Sequence, residues 1–233
     1  IDLHIAAGET VALVGATGGH FASHVCVQRL RRVSPWVTQQ WKSLSILQPL
    51  PELVSALNVL QPTILATYPT AAVILAEQAR AGHLHLRLQE VWTGGETLSA
   101  GMRRVIEQGF DCALRNSYGA SEFLPIAWEC SAGRLHVNAD WVILEAVDSQ
   151  FQPVPSGTLS HTTLLTNLAN HVQPIIRFDM GDRIALSGPD THRCSCDSAM
   201  PVVDVQGRRD DTLLVRGRGG RSGKLKPIVA LGR

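Results

Sequence analysis

Short apolar runs and 3.6-residue stripes alternate along the first half of the chain. Thr10 to Val14 is a β-type run, Gly15-Ala16-Thr17-Gly18-Gly19 a turn, and Phe21 to Arg32 a helix whose basic end suits the negative pole of its dipole. Leu44 to Leu47 reads as a strand. Apolar residues at 50, 53, 54, 57 and 60 form a helical stripe over Leu50 to Leu60, closed by Pro62. Thr63 to Ala66 predicts a buried strand. Pro69 to Arg80 predicts a helix with proline at its start and Gly82 past its end. Glu90 to Trp92 predicts a strand running into Thr93-Gly94-Gly95-Glu96. Ser99 can cap a helix carrying Met102, Val105 and Ile106 and stopping at Gly109, and Arg115 to Ser117 predicts the next strand. Strand and helix alternating at this spacing argue for βα units on a mostly parallel sheet flanked by helices.

After Gly133 the rhythm changes. Leu135 to Val137, Trp141 to Val147, Thr158 to Leu165, Pro174 to Phe178, Arg183 to Leu186, Val202 to Val205 and Thr212 to Val215 are β-type runs broken by Gly, Pro, Asn and Asp. No long helical period interrupts them. The expectation is an α/β subdomain over 1–133 and a smaller antiparallel β subdomain over 134–215, barrel-like or a distorted sheet. The glycine- and arginine-rich span 216–233 has no period and is expected to be a disordered or truncated tail.

Composition narrows the function only coarsely. Of 233 residues 45% are hydrophobic and 18% charged, with a formal net charge of +1. Such a balance gives no global electrostatic reason to expect nucleic acid or an anionic membrane as partner. No apolar run approaches the roughly 20 residues that span a bilayer. The chain opens at Ile1, so a fragment is expected. Five cysteines make a poor disulfide framework and point to a reducing compartment, the cytoplasm.

Two glycine-bearing sets could carry chemistry. The Gly15–Gly19 turn follows a strand and precedes a helix, the setting of a phosphate-binding turn. However, position 21 is Phe where the dinucleotide fingerprint wants glycine, and no Gly-Lys-Ser/Thr follows. The second set is spread along the chain: Thr93-Gly94-Gly95-Glu96, then Asn116-Ser117-Tyr118-Gly119-Ala120-Ser121-Glu122, then Arg177-Phe178-Asp179-Met180-Gly181-Asp182, then Gly207-Arg208-Arg209-Asp210-Asp211. Each alone is a common turn, but their parts suit one ligand. A nucleotide needs a glycine-lined slot, an aromatic face for its base, a carboxylate for ribose hydroxyls, an acid for phosphate-bound Mg²⁺ and an arginine for phosphate charge.

These four motifs resemble those of the adenylate-forming (acyl-CoA synthetase) superfamily, and of its phenylacetate-CoA ligase-like branch in particular. Trp128-Glu129-Cys130, Leu135-His136-Val137 and Cys194-Ser195-Cys196 are similar to that branch too. The resemblance runs from about Val11 to Val215. It implies ATP-dependent activation of a carboxylic acid, an aromatic one among the candidates, to an acyl-adenylate, with transfer of the acyl group to coenzyme A. Gly94, Gly95 and Glu96 would line the adenine slot and Tyr118 would stack on the base, with Gly119 allowing close backbone approach. Ser121 would sit by the phosphates and Glu122 would bind Mg²⁺. Asp182 would hold the ribose hydroxyls of ATP or AMP, Arg208 the ribose or phosphate, and Asp210 would be the hinge of a C-terminal lid. Glu122, Ser121 and Arg208 form the implied catalytic set.

Two departures stand beside the resemblance. The family's Ser/Thr/Gly-rich phosphate loop is absent, and the span after Asp211 does not resemble a lysine-bearing lid. The chain is therefore expected to be a central part with little activity alone.

Cys130, His136, Cys194 and Cys196 make a Cys₃His set suited to structural Zn²⁺, although the Cys-x₅-His and Cys-x-Cys spacings are looser than those of common zinc fingers. Two other readings remain open: an NAD(P)-dependent reductase using the Gly15–Gly19 turn, and a non-catalytic zinc-stabilised binding module. The oligomeric state is also open, with a homodimer as one candidate.

Overall fold

The structure, a computed structural model, describes residues 9–17, 22–188, 194–209, 213–216 and 222–225. Two compact units divide it, Ile1–Leu135 and His136–Arg233.

In the first unit the alternation becomes a sheet. Its strands are β1 (Val11–Gly15), β2 (Trp41–Ser45), β3 (Ile64–Thr67), β4 (Glu90–Thr93), β5 (Ala113–Ala120) and β6 (Phe123–Glu129), in the spatial order β6-β5-β4-β3-β1-β2. β2, β1, β3, β4 and β5 pair in parallel, and β6 pairs antiparallel to β5. The helices are α1 (Ala22–Val33), α2 (Pro35–Gln40), α3 (Leu50–Leu60), α4 (Pro69–Arg80) and α5 (Ala100–Phe110).

Strand alternation sorts the apolar residues into two layers. Ala12, Val14, Leu65, Val91 and Leu114 join Leu53, Val54 and Leu57 of α3, Ala72 and Leu75 of α4 and Ile106 of α5 in the main core. Leu57 and Ile106 are fully buried, each contributing about 2 kcal/mol of apolar burial. On the opposite face Val11, Ile64 and Trp92 pack with Trp41, Ala66 and Trp128. Gly109 of α5 lies where a Cβ would come within 2.6 Å of the Ala76 Cβ on α4, so the two helices meet at contact distance only because position 109 has no side chain.

The second unit is antiparallel, as the runs after Gly133 predict. β7 (Leu135–Val137) spans the boundary. β8 (Val142–Val147), β9 (Thr162–Asn167) and β10 (Ile175–Asp179) form one sheet with β9 central, and β11 (Asp182–Ser187) pairs with β12 (Val202–Arg208). β13 (Leu213–Arg216) pairs with β14 (Ser222–Leu225), a strand not anticipated from the periodicity of the 216–233 span.

Some elements depart from expectation. The strand expected over Leu44 to Leu47 starts three residues earlier, at Trp41, because Trp41 packs beside Trp92 on the sheet face. The strand expected over Arg115 to Ser117 is eight residues long and turns back directly into β6 rather than feeding another helix.

Candidate nucleotide site and thiol–imidazole cluster

β4 and β5 run side by side with Thr93 opposite Asn116, so the Thr93–Glu96 loop leaves the sheet beside the Ser117–Tyr118 segment. Hydrogen bonds hold the two together. Ser117 Oγ donates to the Thr93 carbonyl at 3.0 Å, and Thr93 Oγ1 donates to Asn116 Oδ1 at 3.0 Å. A Cβ at position 94 would stand 2.2 Å from Ser117 Oγ, so the loop passes there only as glycine. Gly95 takes a φ of +79°, with the Tyr68 ring 3.3 Å from where its Cβ would be.

Glu96 has a role that sequence distance hid. Its Oε2 accepts from the Thr70 N–H at 3.1 Å and the Thr70 hydroxyl at 2.8 Å, which puts a carboxylate at the positive end of α4. The N-cap residue Tyr68 supplies no side-chain bond of its own.

Ser121 and Glu122 are the two-residue tip of the β5–β6 hairpin, Ser121 exposed and Glu122 half-buried. The hairpin register slips between Tyr118, opposite Ala127, and Ala120, opposite Phe123. Gly119 lies in this bulge. A Cβ there would be 1.9 Å from the Leu124 carbonyl oxygen, so the space beside Gly119 is taken by the main chain of β6.

A polar cluster behind the motif supports it. Glu129 is 4% exposed and its Oε2 accepts from Arg103 at 2.6 Å and from the Asn116 N–H at 3.0 Å. Arg115 reaches the Cys130 carbonyl at 2.8 Å and Glu90 at 3.4 Å, while Glu90 also accepts from Trp92 Nε1 at 2.7 Å. Trp92 is buried, with its ring edge-on to Trp128 at 5.4 Å. The sequence signal for these residues was weak: an acid at an inward position of an otherwise apolar strand, and a tryptophan one residue before it.

In the second unit, Asp182 begins β11 directly opposite Arg208 on β12, with Arg208 Nη1 3.5 Å from Asp182 Oδ1. The Asp182 carbonyl accepts from Thr163 Oγ1 at 2.7 Å. Asp179, in the same motif, received no role from the sequence yet its carboxylate is bonded from three sides. It accepts from the Thr162 hydroxyl, from the Gly181 N–H at 2.9 Å and from Arg209 Nη1 at 3.2 Å. Burial alone would raise its pKa, but the bonds from Thr162, Gly181 and Arg209 outweigh burial and hold the carboxyl below its ordinary value. The proposed hinge Asp210, like Gly18 and Gly19 of the N-terminal turn, lies outside the described residues.

The second unit also brings together His136, Cys194 and Cys196, whose ligand atoms lie within 4.8 Å of one another. Cys196 Sγ is 3.3 Å from His136 Nε2, and His136 Nδ1 is 2.9 Å from the Met200 carbonyl. Because a carbonyl only accepts, Nδ1 carries the proton and the Nε2 lone pair faces the thiols, the tautomer a metal ligand needs. Cys194 is buried and sits in a turn closed by the Asp197 N–H on its carbonyl at 3.1 Å. Cys130 belongs to the first unit, at a turn in which its N–H bonds the Arg134 carbonyl at 2.9 Å. Elsewhere burial pushes the Cys112 thiol up to about 11, aided by Glu90 and Asp111, so it stays protonated at neutral pH.

A five-stranded parallel array, glycine loops leaving its C-terminal edge and a following antiparallel unit define the fold of the adenylate-forming ligases. The chain matches 2-hydroxyisobutyryl-CoA ligase, solved with 2-HIB-AMP and CoA, at a TM-score of 0.74 and 20% identity, covering 94% of this chain and 48% of that one. A benzoate CoA ligase from Burkholderia xenovorans matches at a TM-score of 0.62 and 16% identity, over 92% and 50%. In sequence it is 27% identical to a phenylacetate-coenzyme A ligase of Thermus thermophilus over 67% of this chain, and 25% identical to protein CapK of Staphylococcus aureus over 71%. No family model matches. Together these likenesses show that the chain has the fold of the adenylate-forming acyl-CoA ligases and resembles them in sequence. It spans 36% of the length of either curated relative.

Proposed function

We propose that this chain carries the adenine- and ribose-binding part of an enzyme that activates a carboxylic acid with ATP to an acyl-adenylate and passes the acyl group to coenzyme A. The observation that carries the reading is the meeting of Thr93 and Gly94 with Asn116 and Ser117, which sets the two glycine motifs on neighbouring strands. That is the edge of an open α/β sheet where ligands bind. The likeness to ligases solved with acyl-AMP and CoA supports it.

In this reading Gly94, Gly95 and Glu96 border the adenine, Tyr118 stacks on it and Gly119 brings the main chain close. Ser121 faces the phosphates, Glu122 takes Mg²⁺, and Asp182 with Arg208 holds the ribose. Asp210 serves as a hinge where the 134–215 subdomain ends. Glu122 offers the hard carboxylate oxygen that Mg²⁺ prefers, at a two-residue hairpin tip. A bound Mg²⁺ would offset phosphate charge as the carboxylate attacks the α-phosphorus. The relatives are far longer, so the 233 residues alone are expected to bind nucleotide with little turnover.

Titration calorimetry of the chain with AMP, and with ATP and Mg²⁺, tests the reading. Saturable binding is expected, weakened by Glu122→Ala for ATP with Mg²⁺ and by Asp182→Ala for both nucleotides. A chain that binds neither nucleotide refutes it.

Structural Zn²⁺ on Cys130, His136, Cys194 and Cys196 belongs to the same proposal. Thiolates and an Nε2-presenting imidazole are its preferred donors. Protein purified without chelator should carry about one equivalent of zinc. Metal analysis finding none would remove the site. The five cysteines, none of them in a disulfide bond, support a reducing, cytoplasmic setting.

A further inference from the structure

We propose that Asp179 is a positioning residue that sorts two neighbouring arginines, holding Arg209 so that Arg208 stands opposite Asp182 at the ribose. This deepens the nucleotide-binding reading and rests on it.

Arg208 and Arg209 are adjacent at the end of β12, and two acids, Asp179 and Asp182, lie three residues apart where β10 passes into β11. Either acid could in principle take either guanidinium. The structure shows one pairing: Arg209 Nη1 on Asp179 Oδ2 at 3.2 Å and Arg208 Nη1 on Asp182 Oδ1 at 3.5 Å. The first pair is built into its surroundings on both sides. Asp179 Oδ1 accepts from both Thr162 Oγ1 and the Gly181 N–H, and Oδ2 is left for Arg209. The Arg209 N–H also bonds the Gly181 carbonyl at 2.7 Å, so main chain and side chain of Arg209 both grip the same turn.

That turn fixes where Asp182 points. Gly181 takes a φ of +71°, a conformation an L side chain resists, and the Asp179 bond to its N–H holds it there. Asp182 follows immediately and is 8% exposed. Its backbone carbonyl is anchored by Thr163 Oγ1, and its carboxylate faces Arg208. The Asp179–Arg209 pair is partly exposed, with side chains 33% and 34% accessible, so its value lies in geometry more than in stability. Without a charge at 179, Arg209 is released to compete with Arg208 for Asp182, and without Arg209 the Asp179 carboxylate draws Arg208 away instead; either change disturbs the acid meant for the ribose hydroxyls.

The test compares AMP with 2′,3′-dideoxyAMP by titration calorimetry on the wild-type chain, Asp179→Asn and Arg209→Gln. The wild type should prefer AMP by about tenfold, the worth of one hydrogen bond to a charged acceptor. Both variants should bind AMP about tenfold more weakly while dideoxyAMP is unchanged, so the preference collapses toward one. A merely structural role would weaken both nucleotides together. Equal weakening, or an unchanged preference in both variants, overturns the proposal. Should Asp179→Asn fail to fold, Arg209→Gln breaks the same pair from its other partner and decides the matter. A wild type that binds AMP without preferring it over dideoxyAMP would instead refute the assignment of Asp182 to the ribose, and the positioning role with it.

Discussion

Replacing Gly119 with alanine adds one methyl group where the structure has room for none. The new Cβ would stand 1.9 Å from the Leu124 carbonyl oxygen and 2.9 Å from the Leu124 carbonyl carbon. That is about 1.4 Å short of the roughly 3.3 Å at which carbon and carbonyl oxygen tolerate one another. The obstacle is main chain, so no rotamer change relieves it. β6 must move away from β5 and lose bonds beside the bulge. Overpacking of this kind costs about 1–3 kcal/mol, and a rigid neighbour puts Gly119→Ala near the upper end. Restricting the unfolded chain returns less than about 1 kcal/mol, leaving a net loss of about 2–3 kcal/mol. For a chain of this size that is a drop of about 6–9 °C in melting temperature. Differential scanning fluorimetry or calorimetry reads it directly. Gly101→Ala is the control: it lies in the first turn of α5 with only Ser99 Oγ at 3.7 Å, and it should melt at or slightly above the wild type. A Gly119→Ala variant that melts within about 2 °C of the wild type would refute the claim that the bulge has no space for a side chain.

Other outcomes follow from single contacts. Glu129→Ala leaves Arg103 and the Asn116 N–H without their shared acceptor and should cost about 2–3 kcal/mol in urea denaturation. Ser99→Ala removes the cap bond from the Met102 N–H, seen at 3.2 Å, and should cost about 1 kcal/mol by the same assay. The depressed pKa of Asp179 makes its contribution pH-dependent in a defined direction. Ionised Asp179 stabilises the fold above the ordinary aspartate pKa, and that contribution fades as pH falls through the lower folded value. The stability gap between wild type and Asp179→Asn should therefore be widest near neutrality and narrow below about pH 4, as unfolding curves from pH 7 to 3 would show.

The parts legible in the sequence were those with strong local periods. The stripe 50, 53, 54, 57 and 60 predicts α3 to the residue, and its inward positions Leu53, Val54 and Leu57 are the buried ones. Proline at the start and glycine past the end bound α4 equally well. β6 was illegible because Pro125 and Glu129 interrupt its alternation, and because the two residues of its turn, Ser121 and Glu122, read as a ligand motif rather than a hairpin tip. The helix α2 is six residues long, too short for a period to declare itself. At the candidate site, the glycines could be found by type, but their reasons could not. Gly94 clears Ser117 and Gly119 clears Leu124, contacts set by strand pairing. Asp179 was hidden for the same reason, since Thr162 and Arg209 reach it from 17 and 30 residues away.

One strand, β5, changes partner along its length: residues 113–116 pair with β4, and residues from Ser117 onward pair with β6. An insertion before Ser117 would slip the register of the sheet and turn Leu114 out of the core. An insertion at Ser121–Glu122 would lengthen only a hairpin end. The Glu122 carboxylate thus stands at the one point of this strand where chain length can vary without refolding the sheet beneath it. An engineer wishing to re-aim that acid could lengthen the hairpin tip and leave the core sequence untouched.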